Sequence, residues 1–159
     1  VDETYLKVRG HWAYLYRAID RDGKLVDTML SEQRDMAAAQ TFFRSAKAAT
    51  GITPDQVTTD DHGSYPRAIR TVLGRRVVHR TSAYKNNRLE QDHRGVKGRT
   101  RCMRSFKSFG SAARFCKSHD ELRNFLRPRT RYDQSVSASR GRLLHLRRAT
   151  IVLAVLEAA

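Results

Sequence analysis

The chain is poor in the residues that mark secreted and membrane proteins. It has two cysteines in 159 residues, Cys102 and Cys116, and they form no CxxC pair. Neither a disulfide framework nor a zinc ribbon is indicated, and two free thiols suit a reducing cytosol. No apolar run nears the roughly 20 residues that span a bilayer; the longest, residues 149–156, is far too short. The opening residues are polar and acidic, unlike a signal peptide. No glycine-rich phosphate loop is present, so nucleotide hydrolysis is unsupported. There is no internal repeat. There is also no Met at position 1, so the chain is expected to be a piece of a longer protein. Acidic residues are scarce as well. Sixteen Asp and Glu stand against 31 Lys and Arg, for a net charge of +15. An excess that large points to a polyanion, nucleic acid first and a membrane surface second. At 40% apolar and 30% charged, the chain is globular rather than disordered. Its length suits one domain with a real core.

What is present reads in order as follows. Residues 2–8, 11–20 and 24–30 are β-rich and joined by the Arg9-Gly10 and Asp22-Gly23 turns, which predicts an antiparallel meander. Residues 31–35 offer caps for a helix over 36–49, with Met36, Ala39, Phe43 and Ala46 as its apolar stripe. A short strand over 56–60 runs into a polar turn. A helix follows over 65–73, with Pro66 tolerated in its first turn, then a strand over 76–79. Residues 75–107 hold eleven Lys or Arg against Glu90 and Asp92. A helix over 108–126 is expected to bury Ala112, Phe115, Leu122 and Leu126. Pro128 ends it, residues 129–141 read as a linker, and a last helix covers 143–159. Its apolar face is free to pack on the domain or on a partner. A meander feeding helix-alternating strands predicts an α/β fold. Its form is a mixed five-stranded sheet flanked by helices, the ribonuclease H-like arrangement.

The stretch from Asn86 to Lys97 organises the rest. As a helix it puts Glu90, Arg94, Lys97 and Arg101 on one face, at offsets of four, seven and eleven. A carboxylate would then head a ladder of cations, although a solvated basic helix with one Glu–Arg pair has the same pattern. In the expected sheet the first strand is central and the fourth lies beside it. Asp2 on the first strand, Asp60 at the end of the fourth and Glu90 on the later helix converge only through that fold. Hard oxygen ligands of this kind suit two Mg²⁺ or Mn²⁺ ions, which in phosphodiester chemistry activate the attacking oxygen and stabilise the leaving one. Taken singly, Asp2 reads as a strand end and Asp60 as a turn or cap residue.

Several short runs occur together and in order: Val1-Asp2-Glu3-Thr4-Tyr5, Tyr14-Leu15-Tyr16-Arg17-Ala18-Ile19-Asp20, Thr58-Thr59-Asp60, Tyr65-Pro66-Arg67-Ala68-Ile69 and Asn86-Asn87-Arg88-Leu89-Glu90-Gln91-Asp92-His93-Arg94. Phe106-Lys107-Ser108-Phe109 and Ser111-Ala112-Ala113-Arg114 extend them. Over about residues 1–128 the chain closely resembles the DDE transposases of the IS6 (IS240-like) insertion sequences. The resemblance implies a ribonuclease H-like catalytic core over 1–128, with 129–159 as linker and C-terminal helix. It implies metal-dependent DNA cleavage and strand transfer at insertion-sequence ends. The acidic triad falls on Asp2, Asp60 and Glu90, as catalytic residues and metal ligands together. Lys97 falls on the family's basic position, and with Arg94 and Arg101 it would hold the DNA backbone without reading bases. Implied partners are double-stranded DNA, both transposon ends and target, and further copies of the chain. The implied location is the bacterial cytoplasm, on the nucleoid, with no membrane. A helix-turn-helix region usually precedes this core and is not in the sequence. The Asp60–Glu90 spacing is shorter than usual, and Cys102 and Arg104-Ser105 replace an expected Pro and Leu-Gly.

Two other functions fit the charge: a DNA-binding remnant whose metal site does not assemble, and a ribonuclease H-like nuclease without strand transfer. Among the remaining residues, His93 reads either as a phosphate or metal-water contact or as a packed helix residue. His62 and His79 read as structural or exposed. Trp12, Tyr14 and Tyr16 alternate along a strand and are expected in the core rather than on a base-stacking surface. Cys102 and Cys116 lack the neighbours that would make either a nucleophile.

Overall fold

The computed structural model describes residues 1–82, 87–103, 105–126 and 137–158; the side chains of residues 87, 88, 90–92 and 138 fall outside the description. It is a mixed α/β protein whose described residues divide into two compact units, Val1–His119 and Asp120–Ala159.

In the first unit, β1 (Asp2–Val8), β2 (His11–Ile19) and β3 (Leu25–Ser31) form the expected antiparallel meander. The β1–β2 turn has φ of 51° at Arg9 and 82° at Gly10, the paired left-handed conformation of a tight hairpin. Asp35 caps α1 (Met36–Thr50) by accepting from the Ala38 amide at 2.8 Å. β4 (Gln56–Thr59) then pairs in parallel with β5 (Val78–Thr81), with α2 (Tyr65–Val72) between them in the chain. β5 begins two residues later than its sequence suggests. α3 (Asn87–Arg101) and α4 (Phe109–Leu126) follow.

All five expected strands are there, but their ladders form a three-stranded sheet, β1–β2–β3, and a two-stranded one, β4–β5. Among the described residues a single rung joins the two: the Val1 nitrogen donates to the Thr58 carbonyl at 2.6 Å. β4 ends at Thr59, level with the first residues of β1, so the two strands overlap too little for more.

The meander buries both faces. On one, Tyr16 and Ala18 pack with Ala39, Phe42 and Phe43 of α1, Val57 of β4 and Tyr65, Ala68 and Ile69 of α2. On the other, Leu6, Ala13, Leu15 and Leu30 pack with Val96 of α3, Phe106 and Ala112 and Cys116 of α4. The buried stripe of α1 keeps Ala39 and Phe43 of the expected one and adds Ala38 and Phe42, while Met36 and Ala46 are partly buried at its margin. In α4 Ala112 is buried as expected, whereas Leu122 is 44% exposed. The fourfold step from Ala112 to Cys116 sets the buried side there, and Phe115 leans on Phe106 with ring centroids 5.3 Å apart. Trp12 is also displaced from its expected place, being 51% exposed. It sits beside the hairpin turn, where α1 no longer covers the sheet.

In the second unit, α5 (Ala138–Glu157) begins five residues earlier than the apolar pattern suggests. Arg148 reaches the Phe125 carbonyl at 2.8 Å and lies over the Phe125 ring. Leu146, Ile151, Leu153, Val155 and Leu156 remain exposed. Among the described residues no helix is long and apolar enough to cross a membrane.

Candidate active site

The single rung between Val1 and Thr58 decides where the acidic residues go. It sets the start of β1 against the end of β4, so Asp2 and Asp60, far apart in sequence, arrive at one place. Ligand oxygens of Asp2, Glu3 and Asp60 lie within 4.8 Å of one another. The backbone amide of Glu3 donates to Asp2 Oδ1 at 2.9 Å, and the His62 amide donates to Asp60 Oδ1 at 3.4 Å.

Each carboxylate has a different setting. Asp2 is buried, on the sheet face that also carries Thr4 and Leu6. Burial first, and then the charge of Asp60, push its carboxyl up to about 6 against the partial relief of the Glu3 amide. The Glu3 side chain is only 3% exposed and is held from two sides. The Arg34 guanidinium binds one of its oxygens, and the buried Tyr65 hydroxyl donates to the other. Burial, followed by the Glu3 charge, raises the Tyr65 pKa and keeps that hydroxyl a donor. Asp60 is one-third exposed, with Oδ2 3.7 Å from Arg34 Nη2. Burial works against the Arg34 charge, but the Glu3 hydrogen bond and the charges of Glu3 and Asp60 outweigh it and raise its pKa.

Chemically this is a convergent, oxygen-only donor set with one cation leaning on it. Hard divalent ions such as Mg²⁺ and Mn²⁺ prefer such donors, and the Asp2 carboxyl, raised by burial first and by the Asp60 charge second, is one that a cation bound there would hold ionised. The residues fit a divalent metal.

Of the predicted site residues, Asp2 and Asp60 are brought together. Glu90 lies on α3, but its side chain falls outside the described residues. Among the described side chains of α3, Leu89, His93 and Val96 are the buried ones, so His93 packs inward. Arg94 and Arg101 are exposed, and Lys97 is half-buried with Nζ 4.3 Å from the centre of the Tyr5 ring. His62 Nδ1 contacts Ser64 Oγ at 2.7 Å, and His79 Nε2 contacts Thr59 Oγ1 at 2.9 Å across β4 and β5. Glu3 and Arg34 escaped the sequence reading. Strand alternation sets Glu3 on the face opposite Asp2, and only the end of the strand lets both oxygens meet. The signal that was available is the adjacent acidic pair at a strand start.

The DDE domain of the IS240 transposase type matches residues 1–129. The transposase for insertion sequence-like element IS431mec of Staphylococcus aureus is 42% identical over 103 residues, which is 62% of this chain and 46% of that protein. The transposase for insertion sequence element IS257 in transposon Tn4003, also from Staphylococcus aureus, gives the same figures. The chain thus spans about half the length of these relatives. A chain of the simian T-cell lymphotropic virus intasome, solved in complex with PP2A regulatory subunit B56 gamma, aligns with a TM-score of 0.49 and 17% identity over 58% of this chain and 35% of that one. Since the matched domain takes in most of its length, the chain belongs to the DDE-domain family of IS240-type transposases.

Proposed function

We propose that this chain is the catalytic core of a DDE transposase that cuts and joins DNA at insertion-sequence ends with divalent metal. The observation that carries this reading is the meeting of Asp2 and Asp60, from two remote strands, with oxygens inside 4.8 Å. Asp2 and Asp60 would hold metal, with Glu90 from α3 as the third family carboxylate. Metal bound there would supply positive charge to the attacking and leaving oxygens of a phosphodiester. Asp2 and Asp60 fix the position of that charge. Tyr65 and Arg34 hold Glu3 still beside it. Arg94, Lys97 and Arg101 on α3 would grip the phosphate backbone, so that the strand to be cut is held in register with the carboxylates. The number and identity of the ions, two Mg²⁺ or Mn²⁺ by family resemblance, belong to the same proposal.

The wider architecture follows from this reading. The Val1–Thr58 rung supports one ribonuclease H-like sheet of five strands, with β1 central and β4 beside it. The core would take in residues 1–128, with 129–159 as linker and helix. The partners would be duplex DNA and further copies of the chain, in the bacterial cytoplasm on the nucleoid.

One observation favours a second reading. Arg34 already sets a guanidinium against Glu3 and near Asp60. A site so balanced suits a DNA-binding remnant that no longer needs metal. A melt of the wild type and of Asp60→Asn, with and without Mn²⁺, beside a cleavage assay on end-bearing DNA, separates the two. Catalysis requires a Mn²⁺-dependent rise in melting temperature that Asp60→Asn diminishes, and cutting that Asp60→Asn abolishes. If Mn²⁺ moves neither protein and the wild type cuts nothing, the remnant reading stands instead.

A further inference from the structure

Tyr5 and Trp12 meet on the diagonal of the β1–β2 ladder, Tyr14 being the register partner of Tyr5 and Lys7 that of Trp12. Their rings meet edge to face, with centroids 4.9 Å apart and planes at 88°. Both side chains stay about half exposed, at 52% and 51%. Lys7 Nζ lies 4.9 Å from the Trp12 ring centre, and Lys97 Nζ, from α3, lies 4.3 Å from that of Tyr5. Single exposed aromatics are ordinary on protein surfaces. Two in contact, each carrying an ammonium on its ring, make a surface with both a π-face for bases and charge for phosphates.

Its position adds to this. Glu3, Tyr5 and Lys7 alternate along one face of β1, so the rise of the strand puts Tyr5 about 7 Å and Lys7 about 14 Å from Glu3 of the acidic cluster. A nucleotide or two of extended strand spans that gap. A base stacked on an aromatic ring is held more strongly than an ammonium at an exposed ring. The lysines can therefore give up the rings to a base and turn to the neighbouring phosphates, which keeps the charge at the place where the strand arrives. Duplex DNA has its bases stacked already and offers nothing to the rings.

We infer that Tyr5 and Trp12, flanked by Lys7 and Lys97, form a stacking platform for unpaired DNA bases next to the acidic cluster. The choice of DNA rests on the transposase reading; the preference for unpaired bases rests on the rings. Trp12 is the sole tryptophan of the chain, so its emission reports on this surface alone.

The test uses the full chain in EDTA, which removes catalysis from the readout. Oligothymidylate of about 12 nucleotides and a hairpin duplex of equal nucleotide count are titrated at low salt, following labelled-DNA anisotropy and Trp12 emission together. The single strand should quench Trp12 in step with binding, and the duplex should bind with little quenching. Tyr5→Ala and Trp12→Ala should each weaken single-strand binding about tenfold, with duplex affinity unchanged and Trp12→Phe retaining most of the effect. Lys7→Ala should lower the single-strand salt slope by about 0.7. Circular dichroism melts confirm that each variant folds, and Tyr5→Leu replaces any that does not. The inference is overturned if single strands fail to bind, if they bind without altering Trp12 emission, or if the alanine variants lose duplex and single-strand affinity alike. Quenching in EDTA, with neither a Mn²⁺ melting shift nor cutting in the separate assay with Mn²⁺, sinks the transposase reading and leaves the platform; cutting with Mn²⁺ but no quenching in EDTA does the reverse.

Discussion

Arg34 grips the Glu3 carboxylate, and it does so from the short segment between β3 and α1. Glu3 is almost wholly buried, so its charge depends on that guanidinium and on the Tyr65 hydroxyl. Removing one partner of a buried ion pair leaves the other uncompensated, at about 3–5 kcal/mol for a fully buried pair. Arg34 is 38% exposed, so solvent screening reduces that cost. Arg34→Ala is expected to destabilise the metal-free protein by about 1–3 kcal/mol in urea unfolding. The same change takes a competing cation from the acidic cluster. Mn²⁺ should therefore raise the melting temperature more in Arg34→Ala than in the wild type. A smaller shift in the variant would mean that Arg34 helps to build the metal site rather than competing for it.

Asp2 gives the site a dependence on pH. Its carboxyl titrates at about 6 in the folded protein against an ordinary 3.8, because burial and Asp60 disfavour the charged form. The folded state therefore binds the proton more tightly than the unfolded one, and stability falls as pH rises from about 4 to about 6. Above that range the ionised group costs about 3 kcal/mol, and below pH 4 the cost disappears. Asp2→Asn keeps an oxygen for the Glu3 amide and never ionises. The variant should be more stable than the wild type at pH 7.5 in EDTA and no more stable at pH 4, as read from urea midpoints at the two values. A gain of equal size at both pH values would show that packing, not charge, is responsible.

The meander was legible because each strand is bounded by turn chemistry, Arg9-Gly10 and Asp22-Gly23, and each alternates. The site was legible in part. Asp2 and Asp60 stand at strand ends that an α/β sheet brings side by side, and the ordered motifs around them named the family. Glu3 was hidden because alternation argues against grouping neighbours on one strand, a rule that relaxes at its terminus. Arg34 was hidden because a loop residue carries no periodicity. The exposure of Trp12 depends on how far α1 extends over the sheet, which is a tertiary fact that no local pattern encodes. In α4 Ala112 goes inside as expected and Phe115 and Leu126 are partly buried, but Leu122 stays exposed while small Cys116, which the pattern passes over, is buried.

Phe42 tests which packing supports the site. It is fully buried, stacked on Tyr16 at 5.7 Å and beside Phe43 at 5.8 Å, in the cluster that also holds Tyr65 and Val57. Phe42→Ala should cost about 3–5 kcal/mol through lost burial and a residual cavity. Because Tyr65 holds Glu3 and Val57 belongs to β4, loosening this cluster should also weaken metal binding. Phe42→Leu, which keeps most of the volume, should cost less than half as much and leave the Mn²⁺ shift in place. Equal losses from the two variants would mean that ring stacking, rather than volume, matters here.

The basic face of α3 makes a quantitative claim about salt. Each phosphate contact with duplex DNA releases counterions and contributes about −0.9 to the slope of log K against log salt. Arg94 and Arg101 are exposed, and Lys97 is held over Tyr5 by a contact weak enough to give up for a phosphate. Changing any one of the three to Ala should make the slope shallower by about one, and changing all three by about three. None of them is expected to read bases, so the loss should be equal on end-bearing and unrelated duplexes. Lys97→Arg keeps the charge and should leave the slope unaltered. The measurement is a series of anisotropy titrations of labelled duplex across salt concentrations, in EDTA so that cutting does not intervene. A triple variant whose slope matches the wild type would move the DNA path off α3 and onto other cations of the chain. A loss confined to end-bearing DNA would instead make these residues readers of sequence, contrary to their placement as backbone contacts.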